Sequence, residues 1–350
     1  MGKRRLNLAV FYAVLLPLLL VSILVGIAVG STTVDWRTII HVAGLKLLPA
    51  GWVSAAGVNQ ADTVIVWLIR IPRVVIAAFV GAGLAAAGAI MQGLFRNPLA
   101  EPSLIGAGSG AILGAVISFA SGWSVRSVVS LPVTAMIGAF VALVIVYAMA
   151  TRGGSTPVGT LLLAGIAVTS LLTAVSSLLI SLRIANWQIG QEIVFWMMGG
   201  LDARSWTHVW LCAPFVLLGL AGAMFQTRDL DLIQQGEETA ASFGVDVESS
   251  KRFLALTAAI LTGASVAVAG GIGFVGLVVP HAVRLLVGPS NRALIPASAL
   301  TGAAFLILCD LLARTIHPPT EIRLGVITAL VGGPLFIGLL MRRYWEASAT

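Results

Sequence analysis

Apolar runs of membrane-spanning length alternate with short polar breaks from one end of the chain to the other. The runs cover residues 8–30, 74–95, 104–120, 131–150, 161–182, 206–225, 253–272, 294–312 and 324–341, with a shorter stretch at 273–286 broken by Pro280. Since about 20 apolar residues suffice to cross a bilayer, this pattern predicts an all-α polytopic membrane protein of about ten transmembrane helices. The breaks predict the loops. Residues 31–62 and 186–200 read as outer segments that carry short helices, and 96–102 and 151–157 as inner turns rich in Gly, Pro and Asn. Residues 226–252 are too polar to span and read as an inner loop with one or two short helices. The N-terminal apolar run is too long for a cleaved leader, so both termini, 1–7 and 342–350, are expected on the inner side of a single 350-residue membrane domain.

Composition supports this class. The chain is 58% hydrophobic and 10% charged, with mean hydropathy +1.01, against roughly 25% charged residues in a soluble domain. A net charge of +7 does not point to nucleic acid, because no basic run is interleaved with aromatics. Under the expected topology twelve of the 21 Lys and Arg fall inside and nine outside, a weak positive-inside bias that leaves arginines on the outer face. Cys212 and Cys309 lie in apolar runs with no metal-binding spacing.

The chain is organised around the run that starts at Arg70-Ile-Pro-Arg73 and ends at Arg96-Asn97-Pro98. Its Gly and Ala residues allow close helix approach. The pattern Gly81-Ala-x-x-Ala-x-Ala-Gly-x-Ile90 returns as Gly263-Ala-x-x-Ala-x-Ala-Gly-x-Ile272, with Pro98 and Pro280 at the same further offset. Five crossings separate the copies, which reads as two inverted-like halves or as chance similarity among small-residue helices. No catalytic motif and no Gly-x-x-x-x-Gly-Lys-Ser/Thr phosphate loop occurs. Acidic residues at membrane depth are scarce, which argues against an ion-coupled carrier and against an intramembrane enzyme.

Several motifs resemble the FecCD/BtuC-type permease family of bacterial ABC importers for iron-siderophores, haem and cobalamin. They are Arg70-Ile-Pro-Arg73, Gly88-Ala-Ile-Met-Gln92, Arg96-Asn-Pro-Leu-Ala-x-Pro102, Gly273-Phe-Val-Gly-Leu-Val-Val-Pro-His281-x-x-Arg284, Asp310-x-x-x-Arg314 and Glu321-x-x-x-Gly325-x-x-Thr328-Ala-x-x-Gly-x-Pro334. Arg323 stands where the family commonly has proline and Asn291 where it often has histidine.

The resemblance implies a type II ABC importer permease fold in a bacterial inner (plasma) membrane. It implies a homodimer or a pair of similar permeases with the path between subunits. A cytoplasmic ATPase dimer would use ATP and Mg, and a periplasmic or extracellular binding protein would deliver the solute. This chain is then expected to bind no cofactor or metal of its own, to contact membrane lipid and to catalyse nothing. Ferric siderophore is the first expected cargo, then haem, then cobalamin.

Residue roles follow from the same resemblance. Arg70, Arg73 and Arg314 would receive carboxylates of the binding protein, since guanidinium and carboxylate pair in a two-pronged geometry; interface snorkelling or internal pairing with Asp310 or Asp62 remains open. Gly236, Glu237, Glu238, Ala240, Ala241 and Gly244 would place short coupling helices against the ATPase, or form a solvated loop. Ser155, Thr156, Pro157, Gly159 and Thr160 would belong to an inner gate, or to a plain turn. Gln92 and Asn97 are candidates for the path or for core packing. His41, His208 and His317 fall near the outer face and suit either a haem path or a structural role.

Overall fold

The structure, a computed structural model, describes residues 7–30, 34–49, 52, 59–183 and 187–348. Residues 1–6, 349–350 and the side chains of Arg342 and Arg343, on which the inner placement of the termini rests, lie outside the described residues.

The regular elements among the described residues are all helices. In order the elements are α1 (Leu8–Ala28), α2 (Trp36–Leu47), α3 (Gln60–Thr63), a π-helical turn (Val64–Arg70) and α4 (Ile71–Leu94), followed by a 3-10 turn (Pro102–Ile105) and α5 (Ala107–Ala120). Then come α6 (Trp123–Arg126), α7 (Ser130–Ala150), α8 (Val158–Arg183), α9 (Trp187–Met197) and α10 (Trp206–Phe225). The remainder is α11 (Thr227–Gln235), α12 (Glu237–Ser242), α13 (Val247–Ala269), α14 (Val275–Val287), α15 (Asn291–Thr315) and α16 (Leu324–Ser348). Seven helical stretches are long and apolar enough to cross a bilayer: α1, the continuous 60–94 rod, α7, α8, α10, α13 and α15. Shorter apolar helices are α5, α14 and residues Leu324–Leu339 of α16, so the ten expected segments are all helical.

α4 is the central element, with most of its 24 residues buried. Small residues put it there, since without side-chain bulk two backbones can meet. A methyl added at Gly88 would overlap the Gly276 carbonyl of α14, and one at Gly81 would overlap the Gly302 carbonyl of α15. Its entry is not the simple helix start the Arg-Ile-Pro-Arg motif suggested. Helix begins at Gln60, inside the stretch expected to be an outer loop, and passes through the π-helical turn. Pro72 explains that turn, because a proline has no N–H to return to the preceding turn. In the π register its partner would be the Trp67 carbonyl, and the Trp206 indole Nε1–H donates to that oxygen instead, at 2.8 Å.

Two boundaries differ from expectation. α13 begins at Val247 and ends at Ala269, not at 253 and 272. Its first turns therefore absorb the end of the polar 226–252 segment. The two copies of the repeated motif run in opposite directions, as inverted-like halves require, but differ in backbone. Gly83 of α4 faces Ser265 and Leu261 of α13, and the C-terminal end of α4 at Gly93 lies against Leu230 and Gln234 of α11, which precedes α13, so the two copies run antiparallel. Gly88 sits in mid-helix, whereas its counterpart Gly270 ends α13 at φ 71 beneath the Trp196 carbonyl. Pro98 lies in the turn after α4, while Pro280 lies inside α14.

Candidate functional site

The structure gathers the candidate residues at the two ends of the helical bundle. At the end expected to be the outer one, Arg70, Arg73 and Arg314 converge from three segments, and all three are buried within the chain. Arg73, on the first turn of α4, forks onto two carboxylates. Its Nε donates to both oxygens of Asp310 at 3.0 and 3.1 Å, and its Nη2 to Asp310 Oδ1 at 2.9 Å. Nη1 and Nη2 reach the two oxygens of Glu321, each at 2.9 Å. Arg314, one helical turn after Asp310 on α15, approaches that carboxylate with Nε at 3.4 Å and donates Nη2 to the Gly26 carbonyl. Arg70 donates Nη1 to the carbonyls of Ile27 and Ala28 at 3.0 and 2.7 Å.

The local chemistry is orderly. The last carbonyls of a helix lack intrahelical donors and carry partial negative charge, so Arg70 and Arg314 cap the end of α1. Three guanidiniums against two carboxylates leave one net positive charge. Of the possibilities open in the sequence, internal pairing with Asp310 is what Arg73 and Arg314 adopt. Glu321 is the member nearest solvent, its side chain 39% exposed against 1% for Asp310. Arg323, which stands where a proline was expected, pairs with Asp202 at 3.0 Å and lies over the Phe195 ring. His208 is buried and faces the Ser205 hydroxyl and N–H at the start of α10, and His317 contacts Thr320, so both are engaged locally.

At the opposite end, expected to be the inner one, the 226–252 segment resolves into α11, α12 and the first turns of α13. Gly236 and Gly244, at φ 139 and 80, set the turns on either side of α12. Ala240 is buried, while Glu238, Ala241 and Phe243 face outward. Asp231 of α11 accepts from the backbone N–H and the side-chain amide of Asn291 at 2.8 and 2.6 Å, tying the segment to α15. The Ser249 N–H and hydroxyl hold the exposed Asp246 carboxyl below the usual carboxylate range, and that carboxylate, by accepting the N–H, caps α13.

The expected gate residues lie beside this segment. Arg152 and Ser155 exchange backbone hydrogen bonds at 3.0 and 3.1 Å across Gly153-Gly154, whose φ values are 58 and 82. This is a two-residue hairpin of the kind that needs φ > 0 at both central positions. Ser155, Pro157, Gly159 and Thr160 are exposed, and Thr156 is buried. Gln92 is buried in the α4–α14 crossing and donates to the Leu277 carbonyl at 3.0 Å. Asn97 accepts the Leu99 N–H at 2.9 Å and closes the turn after α4. Within the single chain, both have local roles.

Sequence reasoning missed Lys251. It was counted with the solvated inner residues, yet its side chain is fully buried. The one available signal was position: it lies on the helix whose apolar run was read as starting only at Phe253, within reach of the loop that precedes it.

Comparison with known proteins adds context to this geometry. The sequence profile described as the FecCD transport family matches residues 18–342. The chain is 44% identical to the cobalamin import system permease protein BtuC of Halobacterium salinarum, over 90% of this chain and 85% of that protein. It is 41% identical to the hemin transport system permease protein HmuU of Yersinia pestis, over 81% of this chain and 85% of that one. It is 39% identical to the Fe(3+) dicitrate transport system permease protein FecD of Escherichia coli, over 78% and 84%. Among solved structures, an inward-facing metal-chelate type ABC transporter superimposes with a TM-score of 0.83 at 28% identity, covering 95% of this chain and 99% of that one.

Proposed function

The chain belongs to the FecCD transport family, and we propose from that premise that it is the permease subunit of an ABC importer that brings a metal chelate across a bacterial plasma membrane. The match along residues 18–342 carries the reading. It is supported by the fold likeness to a metal-chelate transporter and by relatives named for import of cobalamin, hemin and ferric dicitrate. Ferric siderophore is the first cargo to test, then haem and cobalamin.

The energy source is a separate subunit, because this sequence has no phosphate-binding loop. The outward face of α12, with Glu238, Ala241 and Phe243, is the proposed ATPase contact. An apolar cleft lined by Met197, Met198, Gly325, Val326, Ala329 and Leu330 is the proposed contact with a second permease subunit. At the outer end, an incoming carboxylate of a binding protein takes the seat of Glu321 on Arg73. This supports docking despite the burial of the arginines, because the two-pronged site exists and its occupant is the solvent-facing member.

The test is reconstitution. Permease, cognate ATPase and binding protein are placed in proteoliposomes and offered a 55Fe-loaded hydroxamate chelate, haemin and cyanocobalamin. Uptake of one of them that needs both ATP and the binding protein is expected. Accumulation against a gradient by the permease alone would contradict the assignment.

A further inference from the structure

Lys251 is the largest fully buried side chain among the described residues, and nothing in the proposed transport cycle uses it. Its ammonium donates to the Thr156 carbonyl at 2.7 Å and pairs with Glu237 at 3.0 Å. It also pairs with Glu248 of its own helix. Glu248 accepts the Thr156 N–H at 3.0 Å. The first turns of α13 thus hold both backbone polar groups of one residue in the loop between α7 and α8, and the same ammonium holds the first residue of α12. Arg96, on the turn after α4, comes to 3.9 Å from the other Glu237 oxygen.

Two physical features make this a tie and not merely a contact. The 151–157 loop is stiff, because the Arg152–Ser155 pair closes it and the Thr151 and Thr156 hydroxyls lie 2.8 Å apart. A stiff segment passes on displacement that a floppy one would absorb. The ammonium is also sealed from water while its carboxylates are partly exposed, 32% for Glu237 and 23% for Glu248, so parting from both would leave a buried charge uncompensated, and movement of the whole cluster is cheaper than its full rupture. We propose that Lys251 is a positioning residue that couples α12 to the 151–157 loop, so that displacement of α12 by a bound ATPase is delivered to the inner mouth of the path. The inference rests on the reading of α12 as the ATPase contact.

The experiment uses the permease–ATPase complex in proteoliposomes, with Ser155→Cys as an exposed reporter and Cys212 and Cys309 both buried. Labelling by fluorescein maleimide is timed without nucleotide and with ATP plus vanadate. In the otherwise native chain the rate changes about tenfold between the two conditions, the range of a coupling free energy between sites. Lys251→Met and Glu248→Ala each abolish that change while the ATPase stays bound and hydrolyses ATP within about twofold of the native rate, and Lys251→Arg recovers part of it. A labelling rate indifferent to nucleotide in the native chain would overturn the proposal. So would an unchanged response in both variants, or a response lost only together with hydrolysis. If the native chain retains no ATPase, the α12 docking reading fails on its own; a retained ATPase with an intact response in the variants removes the tie alone.

Discussion

Replacing Arg73 by Met should destabilise the outer end of the bundle far more than removing any exposed charge. Asp310 would lose three donated hydrogen bonds while remaining 1% exposed, with Arg314 Nε at 3.4 Å as its charged neighbour. Breaking a buried ion pair from one side costs about 3–5 kcal/mol when the remaining charge has neither water nor partner, and the neighbouring Arg314 puts the cost here toward the lower end of that range. Glu321 is 39% exposed, so its bidentate pair with Arg73 is largely replaceable by water, and Glu321→Gln should cost less than about 1 kcal/mol. Asp310→Asn leaves two guanidiniums close together and should cost about 3 kcal/mol. The Arg73→Met/Asp310→Asn double variant should then cost less than the sum of the singles by about 2–3 kcal/mol, the upper range for directly coupled residues. Unfolding in mixed detergent–dodecyl sulfate micelles measures this, with the nine tryptophans as the fluorescence signal. Additivity of the two single variants within about 0.5 kcal/mol would refute the buried-pair assignment. So would an Arg73→Met cost no larger than that of Glu321→Gln.

The other predictions concern packing and docking. Gly88→Val places atoms inside the Gly276 carbonyl and should lower stability by about 3 kcal/mol or prevent folding, whereas Gly108→Ala, with open space around it, should be neutral or stabilising by up to about 1 kcal/mol; thermal unfolding of the two purified variants compares them. Phe243→Asp removes an exposed aromatic from the proposed ATPase contact. It should leave permease stability within about 0.5 kcal/mol but reduce ATPase retention on affinity resin about tenfold or more, and undiminished retention would argue that α12 is not the contact.

The candidate residues were legible in unequal degree. Arg73 and Asp310 stood out as motifs, but their pairing spans 237 positions and no local pattern announces it. Lys251 read as one more charge in a polar segment because helix α13 starts before its apolar run does. Ala241 is expected on a short helix of the polar segment, yet that it faces outward while Ala240 is buried depends on how α12 packs. Gly88 and Gly270 occupy the same place in the same motif. One permits a crossing and the other ends a helix, because different carbonyls lie opposite them.

The sequence by itself determined that this is an all-helical membrane protein with about ten apolar segments and the motifs of its family. Hydrocarbon forces every backbone polar group to be satisfied within its own segment, so spans are written as contiguous apolar runs that can be read in one dimension. Only the tertiary structure decided where the charges go. The seats of Arg70, Arg73, Arg314 and Lys251 are made of groups brought from distant segments, and the cost of leaving a buried charge unpaired selects those seats only once the helices have packed.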